Sequence, residues 1–311
     1  MKDSFGRDIN YLRVSVTKKC NLNCSYCGHK KDSTQDELSA DEIEKLVSAF
    51  ARNGIKKVRL TGGEPLIRDD ISDIARRIKN IDGISSLYVT TNGILLGSMA
   101  GELKKAGVDG VNISLDTLDR EKFRLLTGTD KLSCVLEGID AALEEGFSSV
   151  KINSVLVRGK NDGEAGALME LARNKPLQVR FIELMPFSEQ GYDKKLVVTG
   201  DELLAGAPFL EPDNPVTEGA AVYYKAEGFK GRIGFINPIS HKFCAGCNRV
   251  RLLSDGRLKL CLGSELTYDL RPFINDEKRL SEEIARALGE KPRAHRFDSG
   301  EKFRGLNLIG G

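Results

Sequence analysis

The sequence predicts an α/β protein in which six βα units surround a parallel sheet and a smaller α+β region follows. Through the first two-thirds of the 311 residues, apolar β-branched runs alternate with segments of helical periodicity, the pattern that repeated βα units produce. After about residue 210 this alternation gives way to short strands between Pro- and Gly-bearing segments. We therefore divide the chain into a first domain, residues 1–215, and a C-terminal region, residues 216–311.

Six strands are predicted in the first domain, at residues 12–16, 57–61, 87–91, 110–115, 150–157 and 178–184. The helix before the second strand begins at a capping box formed by Ser39 and Glu42. Another helix ends near Gly146, which suits a left-handed cap. Cys134 lies on the apolar face of that helix, which predicts a buried small side chain. Short C-terminal strands are predicted at residues 222–225 and 232–236.

Composition excludes several classes of protein. The 47 Lys and Arg residues nearly balance the 45 Asp and Glu residues, and the cations are dispersed among acids, so nothing indicates a nucleic-acid partner. Neither a basic apolar leader nor an apolar run of membrane-spanning length appears, which predicts a cytoplasmic protein without a membrane partner. In that reducing compartment the seven cysteines are expected to stay reduced, and the six that fall into two clusters are expected to hold metal rather than form disulfides.

The first cysteine cluster is Cys20, Cys24 and Cys27, a C-x3-C-x2-C pattern directly after the first strand. Three thiolates would leave one iron of a 4Fe-4S cluster open to a small molecule, as open coordination marks catalytic metal sites. The carboxyl end of a parallel strand is also where α/β proteins place their active sites. A structural zinc site completed by His29 is the alternative.

The second cluster is Cys244, Cys247 and Cys261, the last of which follows a hairpin turn predicted at residues 254–256. It again offers three thiolates. His241 could complete a Cys3His zinc site, and the spacing of this cluster alone is as compatible with zinc as with an iron-sulfur cluster.

Four predicted strands carry a cation between apolar neighbours, where an unpaired charge is costly. These cations are Arg13, Arg59, Lys151 and Arg180. Lys57 shares a strand face with Arg59 because strand side chains alternate. Converging from parallel strands, such groups could hold a triphosphate. The alternative is that they lie on solvent-facing edges or pair with acids such as Glu64 and Glu183.

Two motifs identify a superfamily that the chain resembles. Tyr26 stands between the last two cysteines of the first cluster, and residues 61–65 read Thr-Gly-Gly-Glu-Pro after the second strand. Together these motifs resemble the radical S-adenosylmethionine (SAM) superfamily. Gly28-His29 departs from the Met-Pro that many relatives have there, which leaves the conformation of that loop open.

Further motifs are similar to those of one family within it, the GTP 3',8-cyclases, also called molybdenum cofactor biosynthesis protein A. The similarity rests on residues 243–251, on Ser254-Asp255-Gly256, on Cys261-Leu262, on Phe5-Gly6-Arg7, on residues 12–17 and 114–116, and on the terminal Ile309-Gly310-Gly311. It therefore covers essentially the whole chain.

The resemblance implies a partial (βα)6 barrel covered by a C-terminal region that carries a second cluster. It implies two 4Fe-4S clusters, each held by one set of three cysteines, and SAM as cosubstrate. The residues implied to contact SAM are Tyr26, Gly62, Gly63, Glu64, Thr90, Ser114 and Met185. Those implied to bind GTP are Arg13, Lys57, Arg59, Lys151, Arg180, Arg249 and Arg251. Gly310 and Gly311 are implied to enter the active-site cavity as catalytic residues.

The implied reaction converts GTP to (8S)-3',8-cyclo-7,8-dihydroguanosine 5'-triphosphate, the first step of molybdenum cofactor biosynthesis. An electron from the reduced first cluster would cleave SAM, and the resulting 5'-deoxyadenosyl radical would abstract hydrogen from C3' of GTP before C3' attacks C8. The protein must then fix both substrates and exclude water, since an uncontrolled radical would attack side chains.

Expected partners are an electron donor and the cyclic pyranopterin monophosphate synthase that takes the product. The oligomeric state is left open, with a homodimer as one option. Two other hypotheses remain: another two-cluster radical SAM enzyme, for example one that modifies a peptide, and a non-catalytic protein with two Cys3His zinc sites.

Overall fold

A computed structural model of the chain describes residues 1–25, 27, 36–187, 193–213, 219–297, 303, 305 and 309–310. Its strands are β1 (Tyr11–Ser15), β2 (Lys57–Thr61), β3 (Ser86–Thr91), β4 (Gly110–Ser114), β5 (Ser149–Val155), β6 (Gln178–Ile182), β7 (Glu211–Pro212), β8 (Val222–Lys225), β9 (Arg232–Ile236), β10 (Arg249–Leu252), β11 (Arg257–Lys259) and β12 (Thr267–Asp269). Its α-helices are α1 (Ala40–Arg52), α2 (Ile71–Lys79), α3 (Leu96–Lys105), α4 (Arg120–Thr127), α5 (Leu132–Glu144), α6 (Ala165–Asn174), α7 (Gly200–Ala205) and α8 (Glu277–Gly289). None of the helices described here combines the length and apolar character needed to cross a membrane.

The strands form one sheet in the order β12-β11-β10-β1-β2-β3-β4-β5-β6-β9-β8-β7. From β10 to β9 every neighbouring pair is parallel, and antiparallel strands flank this parallel part on both sides. Helices connect the successive strands β1 to β6. The predicted α/β fold with six βα units is confirmed, and each predicted strand lies within two residues of an observed one.

The two faces of the sheet have opposite character. On β1, Leu12 and Val14 belong to the main hydrophobic core, whereas Tyr11 and Arg13 line a cavity on the other face. The same alternation holds on β2 and β6, because successive side chains of a strand point to opposite faces. The apolar residues pack against the helices, and the polar residues are left to form the site.

The sheet curls around that cavity. Tyr11 on β1, Arg180 on β6 and Arg249 on β10 line the same space, although their strands are far apart in the strand order. The parallel part of the sheet is therefore a partial barrel with its polar face inside.

The C-terminal strands are part of the barrel wall. β10 pairs with β1 and β9 pairs with β6, in parallel in both cases. The sequence predicted a C-terminal region that covers the barrel, and it missed these two pairings. A local pattern shows that a strand exists, but not which sheet edge it joins. The division of the chain at residue 215 stays a prediction.

Local features of two helices follow the sequence closely. At α1, Glu42 N donates to the Ser39 hydroxyl over 3.2 Å, and Ser39 N donates to the Glu42 carboxylate over 2.9 Å, so the capping box is confirmed. Beyond α5, Gly146 has a φ of 68°, as expected for a left-handed cap. Cys134 is half-buried rather than buried, because its neighbour Val135 occupies the inward face of the helix.

Candidate active site

Two cavities of about 230 and 200 Å³ lie next to each other inside the barrel. The first cavity contains the first cysteine cluster, and the second contains the strand cations and the second cysteine cluster. The two cavities share one wall, formed by Arg13, Asn153, Ile182, Met185, Arg251 and Leu262. A molecule bound in one cavity would therefore lie beside a molecule bound in the other.

The first cysteine cluster lies beyond the carboxyl end of β1. Cys20, Cys24 and Cys27 are partly buried, form no disulfide and line the first cavity. Cys27 N donates to Cys24 O over 3.1 Å, so a tight turn brings these two residues to the same side. Burial, together with the negative charge of Glu64, raises the pKa of the Cys20 thiol. Tyr26 and His29 lie outside the described residues.

The Gly-Gly-Glu-Pro segment lies directly against the cysteine-bearing loop. Gly63 N donates to Thr17 O over 2.8 Å, and Glu64 N donates to Lys19 O over 2.7 Å. A Cβ on Gly63 would come within 2.1 Å of Lys19 O, and one on Gly62 within 2.6 Å of Thr17 O. Glycine is needed at both positions so that the two backbones can approach. Because these two amides are occupied, the segment offers carbonyl oxygens to an ammonium ligand.

Glu64 connects this segment to the next strand. Its carboxylate is buried and accepts hydrogen bonds from Leu66 N at 3.0 Å, Thr91 Oγ1 at 2.7 Å and Asn92 N at 2.6 Å. Burial outweighs these bonds and raises the pKa of Glu64 to about 7. Glu64 thus fixes the loops after β2 and β3 relative to each other.

The remaining residues predicted to contact SAM face the same space. Thr90, Ser114 and Met185 all line the first cavity, and the buried Thr90 hydroxyl has no hydrogen-bond partner in the structure. The sequence missed Asn92, whose side-chain amide donates to Asn21 Oδ1 over 2.7 Å and lies 3.9 Å from Cys20 Sγ. No motif distinguishes Asn92 from an ordinary turn residue.

All seven cations predicted to bind GTP line the second cavity: Arg13, Lys57, Arg59, Lys151, Arg180, Arg249 and Arg251. Strand register aligns them, since Arg13 is opposite Arg59 on β2 and Arg251 on β10. None of the described residues that line this cavity is Asp or Glu. Glu64 and Glu183 do not pair with the strand cations; the Glu183 carboxylate instead accepts from Ile239 N and Ser240 N at 2.8 and 3.0 Å.

The closely spaced cations shift the pKa values of one another and of a neighbouring tyrosine. Burial and the charge of Arg251 hold the pKa of Arg13 well below its usual range. The Nε atoms of Arg13 and Arg59 are buried without a hydrogen-bond partner in the structure. Burial opposes ionisation of Tyr11, but Arg59 and the other nearby cations outweigh it and lower the pKa of Tyr11 to about 8. This electrostatic environment favours a polyanionic ligand.

The second cysteine cluster lies at one end of the same cavity. Cys244, Cys247 and Cys261 all line it. Burial opposes ionisation of Cys247, but cations led by Lys291 outweigh it and lower the pKa of that thiol. A hydrogen bond with His295 lowers the pKa of the Cys244 thiol, whereas burial raises the pKa of the Cys261 thiol.

The structure separates two histidines near this cluster. His241 is exposed, and its Nε2 lies 2.7 Å from the Asp201 carboxylate; it is not among the residues that line the cavity. His295 is buried, lines the cavity and donates from Nε2 to Pro238 O over 2.7 Å. The geometry therefore does not support the alternative of a zinc site completed by His241. The sequence missed His295 because it lies far from the cysteines along the chain.

The donor sets of both cavities fit iron-sulfur clusters. Across the described residues, no three His, Cys, Asp or Glu side chains lie close enough to hold a single metal ion. A 4Fe-4S cluster needs a wider spacing, because each cysteine binds a different iron atom. Three cysteines line each cavity, which is compatible with a cluster that has one open iron.

The end of the described chain reaches the shared wall. Gly310 O accepts from Arg251 Nη1 over 2.6 Å, and Gly310 has a φ of 68°. A Cβ on Gly310 would lie 2.5 Å from Thr61 Oγ1 and 3.0 Å from Ser15 Cβ. A separate apolar cluster holds this segment, formed by Phe187, Leu253, Phe297, Phe303 and Ile309. Gly311 lies outside the described residues.

Comparison with known proteins identifies the family. Residues 14–172 match the model of the radical SAM superfamily, and residues 177–297 match the model described as Molybdenum Cofactor Synthesis C. The chain is 43% identical to GTP 3',8-cyclase of Alkaliphilus oremlandii over 100% of both chains. It is 44% identical to GTP 3',8-cyclase of Geobacter sulfurreducens over 94% of this chain and 93% of the relative. The chain belongs to the GTP 3',8-cyclase family of the radical SAM superfamily.

Solved structures agree on the fold. Streptococcus suis SuiB bound to S-adenosylmethionine superposes with a TM-score of 0.66 at 15% identity, covering 97% of this chain and 77% of SuiB. The FeFe-hydrogenase maturase HydG from Carboxydothermus hydrogenoformans gives a TM-score of 0.51 at 18% identity, covering 64% of this chain and 49% of HydG. At these identities the likeness shows the fold alone. Membership of the radical SAM superfamily gives this GTP 3',8-cyclase relative a 4Fe-4S cluster and SAM.

Proposed function

We propose that the chain converts GTP to (8S)-3',8-cyclo-7,8-dihydroguanosine 5'-triphosphate in a SAM-dependent reaction, the first step of molybdenum cofactor biosynthesis. One observation carries this proposal: a cavity lined by seven cations shares a wall with a cavity that combines three cysteines and the Gly-Gly-Glu-Pro segment. The full-length relatives named GTP 3',8-cyclase support it.

In the first cavity, Cys20, Cys24 and Cys27 hold a 4Fe-4S cluster, which when bound supplies the electron that cleaves SAM. The carbonyl oxygens of the Gly-Gly-Glu-Pro segment accept from the SAM amino group. The other residues that we assign to SAM are Tyr26, Thr90, Ser114 and Met185. Thr90, Ser114 and Met185 line this cavity, and Met185 also belongs to the shared wall, so SAM bound to them would lie next to the second cavity.

In the second cavity, the seven cations bind the triphosphate of GTP. Such charge-assisted contacts suit phosphate oxygens, particularly from arginine. Cys244, Cys247 and Cys261 would hold a second 4Fe-4S cluster, which would supply a binding site for the guanine in the same cavity. The barrel wall encloses the sugar between the two cofactors and limits access of water. An electron donor and the cyclic pyranopterin monophosphate synthase are the partners that this function requires.

The two cysteine clusters allow a direct test. Anaerobic incubation of the reconstituted protein with SAM, a reductant and GTP should yield 5'-deoxyadenosine and the cyclised nucleotide, and ATP, CTP or UTP should not be cyclised. Cys24→Ser should abolish SAM cleavage. Cys247→Ser should retain some cleavage but give no cyclised product. Cys134→Ser, outside both clusters, is the matched control. Cleavage that survives Cys24→Ser, or cyclisation that survives Cys247→Ser, would contradict the assignment of that cluster.

A further inference from the structure

Two of the strand cations share a single neutral hydrogen-bond acceptor. Asn112 on β4 is fully buried. Its side-chain amide, oriented with the oxygen toward the cavity cations, accepts from Arg180 Nη2 over 2.6 Å and also from Arg59 Nη1. Arg59 lies on β2 and Arg180 on β6, so Asn112 joins side chains from opposite sides of the barrel.

A second neutral group completes this arrangement. Asn153 Oδ1 accepts from Arg180 Nε at 2.9 Å and from Arg180 Nη2 at 2.5 Å. Asn153 is opposite Arg180 in the register of β5 and β6. Both Arg59 and Arg180 are nearly fully buried, yet the hydrogen-bond partners that the described residues offer them are the amides of Asn112 and Asn153 and the Tyr223 hydroxyl, not carboxylates.

The choice of an amide has an electrostatic consequence. Burial and the charge of Arg59 lower the pKa of Arg180, which shows that the two guanidinium groups repel each other. A carboxylate at position 112 would relieve this repulsion, but it would also cancel positive charge inside the cavity. An amide oxygen fixes the same donors through hydrogen bonds and leaves their charge available to a ligand.

We propose that Asn112 is a positioning residue that holds Arg59 and Arg180 side by side for a triphosphate. Because its amide is neutral, it leaves the charge of both guanidinium groups intact and so preserves the selectivity of the second cavity for a triphosphate over nucleotides with fewer phosphates. Each additional negative charge on the phosphate chain is then attracted by the undiminished positive charge of both guanidinium groups. This inference rests on the proposed GTP-binding function of the cavity.

The test compares Asn112→Asp with Asn112→Ala in the full-length, cluster-reconstituted protein. Dissociation constants for GTP, GDP, GMP and inorganic tripolyphosphate are measured anaerobically at constant ionic strength. A carboxylate within hydrogen-bonding distance of two guanidinium groups should reduce the GMP-to-GTP ratio of dissociation constants by about tenfold or more. Asn112→Ala keeps the charge, so it should weaken GTP binding about threefold to tenfold while leaving that ratio near the parent value.

Asn80→Asp is the matched control, because it adds the same charge at an exposed position after α2. It should leave the ratio unchanged. A parent-like ratio in Asn112→Asp, or an equal fall in Asn80→Asp, would overturn the inference. If Asn112→Asp does not fold, the GTP affinity of Asn112→Ala tests the inference instead. An affinity like that of the parent would overturn the inference. A parent protein that fails to bind GTP would instead contradict the proposed function, so the two failures are distinguishable.

Discussion

At the scale of single residues, Glu64 shows how one buried carboxylate supports the cofactor cavity. Its three donors are Leu66 N after β2, the hydroxyl of Thr91 at the end of β3, and Asn92 N just after it. Glu64→Ala would leave all three buried donors without this acceptor, which we expect to cost about 1 to 3 kcal/mol of stability and to weaken SAM binding. Denaturant unfolding and SAM titration measure both effects. Glu137→Ala on the exposed face of α5 is the control, and equal behaviour of the two variants would contradict this role.

Tyr11 gives the second cavity a pH dependence. Its pKa is lowered from 10.0 to about 8, so its ionisation stabilises the ligand-free protein above about pH 10, by roughly 2 to 3 kcal/mol, and this stabilisation is lost as the pH falls through 8. Bound phosphates would offset the cations and raise that pKa again. GTP affinity should therefore fall about tenfold or more between pH 8 and 10. Tyr11→Phe should show a shallower fall, and identical pH profiles would refute the coupling.

Single residues also show how far sequence reasoning reaches. Motif spacing, cations within apolar strands and the family resemblance single out the six cysteines and seven cations, which line the two cavities, and their roles as metal and GTP ligands stay predictions. Asn92, Asn112 and His295 could not be singled out, since buried amides and a lone histidine become functional only through neighbours brought together by the fold. Tyr26, His29 and Gly311 lie outside the described residues, so their roles stay predictions.

At the scale of elements, the segment that ends the described chain requires glycine at position 310. Gly310→Ala would place a Cβ against Thr61 and Ser15 in a backbone conformation that favours glycine. We expect near-parent stability and GTP affinity but greatly reduced cyclised product, measured per SAM cleaved. Gly289→Ala at the end of α8 has no atom within 4 Å of the added Cβ and should behave like the parent. A parent rate in Gly310→Ala would show that the segment has no part in the reaction.

The sequence reveals where the strands lie better than it reveals how they pair. The strands β1 to β6 could be placed because each combines an apolar run with a following helix. The pairing of β9 with β6 and of β10 with β1 could not, because a short strand carries no local signal for its distant partner. That pairing matters for the site, since β10 brings Arg249 and Arg251 to the cavity.

At the scale of the whole molecule, one curled sheet with an apolar outer face and a polar inner face accounts for both stability and function. The outer face buries the core against helices, and the inner face collects cations that would be costly unless an anion or water met them. The two cavities share a wall. SAM and GTP bound in them would therefore have to react directly with each other where the cavities adjoin.

The most direct test of that requirement uses GTP deuterated at C3'. The reconstituted protein is incubated anaerobically with SAM, a reductant and this substrate, and 5'-deoxyadenosine and nucleotide products are analysed by mass spectrometry. Deuterium should appear in 5'-deoxyadenosine together with a 3',8-cyclised nucleotide. Formation of 5'-deoxyadenosine without deuterium, and with GTP unchanged, would contradict that requirement.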